Sequence, residues 1–164
     1  IPLMELNECE RLDITIDGAD EIDPDLNLIK GLGRALLREK LVASYSTEFV
    51  IIADDSKLVS KLGDRLPLPI EVVSFGIDAQ VKWLCALGCR AEIWLSENGT
   101  QIFSDNGNPF VRCWFDDGID DPSALDLMMK SRVGIIEHGL FLGMATKAII
   151  AKKSGIVEIY NDNE

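Results

Sequence analysis

Apolar positions along the chain keep two different rhythms. In the first part they read strand, helix, strand. Leu12 to Ile16 form a short apolar run that ends in the acidic turn Asp17-Gly18-Ala19-Asp20-Glu21. A polar stretch leads to Leu28 and Ile29, then to the glycine-bearing loop Lys30-Gly31-Leu32-Gly33. From about Arg34 to Ser46, Leu36, Leu37, Leu41 and Tyr45 recur on roughly one face, which predicts a helix. Glu48 to Ala53 is a near-continuous apolar run, as in a parallel strand covered on both faces. Strand, helix, strand at this spacing is a βαβ unit. Ser56 is placed to cap a short helix through Leu62, with Gly63 at its stop.

Past Pro67-Leu68-Pro69 the rhythm changes. The pattern predicts a strand at 70–75, a helix at about 78–87 stopped at Gly88, a strand at 90–95 and a short one at 101–103. Asp105-Asn106-Gly107-Asn108 is a turn signal, with Asp105 and Asn106 read as turn formers only. A strand at 110–115, a helix from Pro122 to about Ser131 and a strand at 133–136 follow. That order is close to a split βαβ, ferredoxin-like α+β unit. The tail reads as two apolar strands around Lys152-Lys153-Ser154-Gly155. The expected division is an α/β domain of residues 1–66 and 133–164, with a small α+β domain of residues 67–132 inserted in it.

Composition narrows the partners. The 164 residues are 47% hydrophobic and 27% charged, as in ordinary globular chains. No run approaches the ~20 apolar residues that span a bilayer. A net charge of −12 disfavours nucleic acid and anionic membranes as partners. Any anionic ligand must therefore meet a local cluster of cations. Cys9, Cys85, Cys89 and Cys113 lack paired metal spacing, and His138 is the single histidine, so no metal site is expected. Unpaired thiols fit a reduced compartment, cytoplasmic or, in a plant or alga, plastid.

The candidate chemistry lies in residues 13–40. Open α/β sheets bind ligands at the carboxyl ends of their strands. Asp17 and Asp20 stand just past such an end; Lys30 and Glu39 come from the next loop and helix. An acid, a base and a fixed cation are thus available, although DGAD alone is also an ordinary turn. His138 reads as a hydrogen-bonded structural histidine.

The whole string DGADE, a lysine ten residues after its second aspartate, a glycine-rich loop, then LLREK, closely resembles the signature stretch of type A ribose-5-phosphate isomerases. The resemblance continues at IADDSKLV, LPLPIEVVSFG, SDNGN and VGIIEHGLF, and covers most of the chain. It implies an open Rossmann-like α/β sheet with an inserted ferredoxin-like α+β domain. It also implies an aldose–ketose isomerase that interconverts ribose 5-phosphate and ribulose 5-phosphate through an enediolate, without metal or cofactor. By the same resemblance Glu39 is the base, Lys30 stabilises the enediolate oxygen, and Asp17 and Asp20 serve ring opening and the sugar hydroxyls. Gly18, Gly31 and Gly33 approach the ligand, and Lys57 lies near its phosphate. The alternatives are a non-catalytic sugar-phosphate-binding domain and an inactive copy of the same scaffold.

Two departures from the family pattern carry expectations. Arg34 stands where relatives have Gly or Ala, and either narrows the pocket or adds a cation to it. An amino-terminal segment with a Thr/Ser/Gly phosphate loop is not matched. The sheet is therefore expected to be incomplete on its amino-terminal side, to expose Val50, Ile51 and Ile52, and to turn over little substrate unaided. A homodimer or homotetramer is also expected.

Overall fold

Alternate residues of a strand point to opposite faces, and this chain uses that to build its first sheet. The computed structural model describes residues 2–161. Strand β1 (Leu12–Asp17) pairs in parallel with β4 (Ser46–Asp54), β4 in parallel with β10 (Lys147–Lys152), and β10 antiparallel with β11 (Gly155–Tyr160). Phe49, Ile51, Ala148 and Ile150 point inward and are buried with Ala43, Leu28 and Phe141. The opposite face carries Ile14, Ile16 and Ile52, each about half exposed. Val50 and Ile51, expected to be exposed, are buried.

Helix α1 (Leu36–Ser44) supplies the cover of the inner face through Ala43. It is shorter than the 34–46 expected from spacing. Arg34 has φ 72°, in the left-handed region, and Ala35 is also non-helical, so the first turn cannot begin before Leu36. At the other end Ser46 already pairs with Leu12 as part of β4. The helix expected from Ser56 is a single 3-10 turn, Asp55–Lys57, capped by Asp54 accepting from the Ser56 amide. Leu58 and Val59 then leave it to pair with Ile22, which ends the turn.

A small middle sheet joins the two halves of the chain. Strands β2 (Glu21–Ile22), β3 (Leu28–Ile29) and β9 (Leu140–Phe141) run antiparallel in the order β2-β3-β9. The third sheet has the order β6-β7-β5-β8, from β5 (Leu68–Val72), β6 (Arg90–Ile93), β7 (Phe110–Trp114) and β8 (Ile135–His138). Helices α2 (Ile77–Ala86) and α3 (Pro122–Ser131) pack on one of its faces, burying Leu84, Leu125 and Met129 against Ile70, Val72 and Val111. The order is that of the ferredoxin-like unit read from the sequence. Its last strand differs from expectation. The chain at 133–136 was to rejoin the first domain, yet Ile135, Glu137 and His138 pair with β5. The return to the middle sheet comes after Gly139. Residues 101–103 form bridges, Leu95 with Gln101 and Phe103 with Pro109, rather than a strand.

Candidate active site

Asp17 is the last residue of β1, and the chain must turn sharply there because the next strand, β2, belongs to another sheet. Its carboxylate therefore projects past the carboxyl edge of the parallel sheet. The Gly18 amide donates to Asp17 Oδ1 at 2.7 Å, leaving Oδ2 free to face Lys30 Nζ at 2.8 Å. Lys30 follows β3 and is almost wholly buried. An isolated buried ammonium is costly, so it must be paired. It donates to the Gly18 carbonyl at 2.5 Å and lies 3.1 Å from Glu39 Oε2. Asp17, Lys30 and Glu39, separate in sequence, thus form one contiguous cluster. Glu39 Oε2 is buried and accepts no aligned hydrogen bond. Its lone pairs are held near a cation without being consumed.

Asp20 does different work. Its Oδ2 accepts from the Leu32 amide at 3.0 Å, tying the acidic turn to the glycine loop. Gly31 has φ 99°, and a Cβ there would stand 2.6 Å from Leu36 Cβ, so only glycine fits. At Gly33 a Cβ would meet only Glu39 Oε1, at 4.0 Å; this residue borders the cluster without steric need. Gly18 contributes its carbonyl to Lys30, not only its amide. Lys57 is half-buried beyond the carboxyl end of β4, beside β1 on the same edge of the sheet. Among the described residues no hydrogen bond or ion pair links its side chain to the Lys30 cluster.

Several supporting residues carried little signal in the sequence. Glu21 is buried and accepts three amides, from Gly63, Arg65 and Leu66, at 2.5, 2.9 and 2.8 Å. Glu71, also buried, accepts from Ser104 and Asn108 at 2.8 Å each. Asp105 and Asn106 do more than form a turn, since Arg38 of α1 donates to the Asn106 side chain at 3.2 Å and to the Asp105 carbonyl at 3.3 Å. On the other side of α1, Lys40 donates to Glu137 Oε1 at 2.6 Å and to the His138 carbonyl at 2.7 Å. Burial lowers the Lys40 pKa, and Glu137 partly offsets this. The neighbours of Glu39 thus fix α1 from two directions.

His138 is fully buried. Its Nδ1 accepts from the Leu140 amide, which puts the proton on Nε2, 3.2 Å from Asp126 Oδ1. Burial, then the charges of Lys40 and Lys130, lower its pKa to about 2. The two nearby carboxylates do not hold it charged, because Lys130 already engages Asp126 and Lys40 engages Glu137. The histidine is structural and neutral. Among the described residues no three His, Cys, Asp or Glu side chains converge as a metal ion would require, and no helix is long and apolar enough to cross a membrane.

A cluster of carboxylates around a buried lysine at the carboxyl edge of an open parallel sheet, with a ferredoxin-like unit beside it, is the arrangement of an α/β protein with a ligand crevice at its strand ends. The family model for ribose 5-phosphate isomerase A (phosphoriboisomerase A) matches residues 1–155. Ribose-5-phosphate isomerase A of Chloroflexus aurantiacus is 47% identical over 159 residues, 97% of this chain and 66% of its own length. The protein of the same name from Bacillus mycoides is 50% identical over 158 residues, 96% of this chain and 71% of its own. A solved D-ribose-5-phosphate isomerase in complex with phospho-erythronic acid superposes with a TM-score of 0.93 at 34% identity, over 98% of this chain and 70% of that one. The chain belongs to the ribose 5-phosphate isomerase A family. It spans about two thirds of the length of these relatives.

Proposed function

We propose that this chain carries the catalytic cluster of an isomerase that interconverts D-ribose 5-phosphate and D-ribulose 5-phosphate. The observation behind this reading is the contact of Lys30 with both Asp17 and Glu39, at 2.8 and 3.1 Å. Moving a hydrogen between adjacent carbons requires a base, and a charge beside the oxygen that becomes anionic. Glu39 takes the proton from C2 of the open-chain aldose. The C–H electrons form the C1=C2 bond, and the former carbonyl oxygen gains the negative charge, facing the Lys30 ammonium. The hydroxyl proton on O2 passes to O1, and returning the carbon-bound proton to C1 then leaves the carbonyl at C2. Asp17 and Asp20 serve ring opening and hold hydroxyls, and the backbone of Gly18, Gly31 and Gly33 lines the sugar. Lys57 attracts the phosphate. The phosphorylated sugar acid named with the superposed structure has the same kinds of groups as this substrate, an oxygen-rich end and a phosphate.

Glu39→Gln keeps the shape and removes the base. Turnover of ribose 5-phosphate should fall by roughly 10²–10⁴ in kcat. A variant that keeps half its activity would remove Glu39 from this role. A cytoplasmic or plastid setting agrees with four cysteines that are all free. We further propose a homodimer or homotetramer, supported by the strong exposure of Phe75 and Val133 on the small unit. A monomer in sedimentation at micromolar concentration would contradict it.

A further inference from the structure

A cleft of about 880 Å³ lies between the glycine loop and the β6–β7 side of the third sheet, lined by Arg34, Trp94, Ser96, Thr100, Gln101 and Arg112. It is built on the sheet face opposite α2 and α3. Arg90 and Glu92 of β6 share that face with Arg112 and Trp114 of β7, being paired across the strands. The aromatic rings and guanidinium groups form a ladder. The Arg34 and Arg112 guanidinium carbons lie 5.8 and 5.4 Å from the centre of the Trp94 ring. Arg112 and Arg90 lie 5.9 and 5.3 Å from that of Trp114.

Three observations at this cleft remain without a structural purpose. Arg34 holds φ 72°, a conformation that strains any residue with a Cβ and that glycine adopts freely. Its guanidinium has no hydrogen bond or ion pair among the described residues, only the Trp94 face. Arg112 gives one nitrogen to Glu92 at 2.7 Å, yet its Nε is buried without an acceptor. A buried donor left unpaired costs about 1–3 kcal/mol. In a chain of net charge −12, two incompletely neutralised arginines at one cleft are a local exception.

We propose that this cleft is a second anion site, which takes the phosphate of a small phosphate monoester between Arg34 and Arg112. The planar guanidinium fork matches phosphate oxygens in a way that a lysine does not. An anion there gives Arg34 a counter-charge and lies against the part of Arg112 that lines the cleft. Ser96, Thr100 and Gln101 offer hydrogen bonds to hydroxyl groups of the rest of the ligand. Glu97 in the same wall repels a fully anionic ligand and favours one whose other end is neutral and hydroxylated. The site adjoins the catalytic loop through Arg34 and Gly33, but it is distinct from the phosphate position assigned to Lys57. It does not rest on turnover by this chain.

Trp94, stacked on both arginines, reports occupancy directly. Tryptophan emission of the full chain is titrated with inorganic phosphate, ribose 5-phosphate and unphosphorylated ribose, in wild type and in Arg34→Gly, Lys57→Ala and Trp94→Phe. Arg34→Gly suits the left-handed backbone and should fold at least as well as wild type. Ribose 5-phosphate should give a saturable change in wild type and Lys57→Ala. Arg34→Gly should weaken it about tenfold or more, and Trp94→Phe should abolish it. Ribose alone should give none. An equal response to inorganic phosphate would identify free phosphate rather than a monoester as the ligand and overturn that part. A response kept in Arg34→Gly and lost in Lys57→Ala, or no response in wild type, would overturn the site.

Discussion

Lys30 and Lys57 are both cations at the carboxyl edge of the first sheet, and the proposed function gives them different work. Lys30 is buried and held by Asp17, Glu39 and the Gly18 carbonyl, so its charge is fixed in place before any ligand arrives. A preorganised charge acts most strongly on charge that develops in the transition state. Lys30→Ala should therefore lower kcat for ribose 5-phosphate. Lys57 is half-buried, free of the cluster, and would meet a phosphate that carries the same charge throughout the reaction. Lys57→Ala should chiefly raise KM, as loss of uniform binding does. Steady-state kinetics of the two variants side by side decides the matter, and the reverse pattern would exchange the roles. Among candidates from the sequence, the meeting of Asp17, Lys30 and Glu39 was legible because carboxylates and a lysine flank a strand end and a glycine loop. Glu21 and Glu71 were not, because a single acidic residue gives no sign of the amides and hydroxyls that fold around it from sequence positions 42 to 45 and 33 to 37 residues away.

At the scale of elements, α1, α3 and β8 meet around His138. Asp126 comes from α3, Glu137 from β8 beside it, and Lys40 from α1. Lys130, also from α3, occupies Asp126. With both carboxylates engaged, protonating His138 would place a buried positive charge among other cations, which is why its pKa falls to about 2. In the unfolded chain the same histidine titrates near 6.5. Between these values the unfolded state binds a proton that the native state refuses. The His138 contribution is thus fully present above about pH 6.5 and is lost progressively as pH falls toward the native value. Urea unfolding at pH 5 should show a stability lower by about 2 kcal/mol than at pH 7, and His138→Gln should lose most of that difference. A histidine variant with an unchanged pH slope would show that other groups set it. Element types were largely legible in the pattern of the chain: Pro122 marks the start of α3, and the apolar run at 148–151 marks β10. Boundaries failed where long-range contacts decided them. Arg34 breaks the start of α1 by its backbone angle, and Leu58 leaves its turn to pair with Ile22.

Over the whole molecule, the ferredoxin-like unit and the middle sheet share material that no local pattern discloses. The main core joins Ile29, Val59, Leu62 and Leu140 to Ile70, Val111, Leu125 and Met129 of the ferredoxin-like unit. Gly139 marks the crossing: its amide donates to the Pro69 carbonyl at 2.8 Å, and its carbonyl accepts from the Lys30 amide at 2.9 Å. A Cβ at Gly139 would run into the Lys30 carbonyl and stand 2.9 Å from Pro69 Cδ, so the chains touch there backbone to backbone. Glu21 ties the acidic turn to the loop before β5 in the same way. Two units that both pack on the middle sheet, and that meet there through buried backbone contacts, should not unfold separately, since opening either exposes apolar surface of that sheet. All three tryptophans, Trp83, Trp94 and Trp114, lie within residues 67–138, and only Trp94 also meets the glycine loop, at Arg34, so their fluorescence reports chiefly that unit. Far-UV circular dichroism reports α1 and the parallel sheet as well. Denaturant titrations read by the two signals should coincide in midpoint and slope. A fluorescence transition displaced from the circular dichroism transition would show that the ferredoxin-like unit has stability of its own and that the crossing at Gly139 is a linker rather than a shared core.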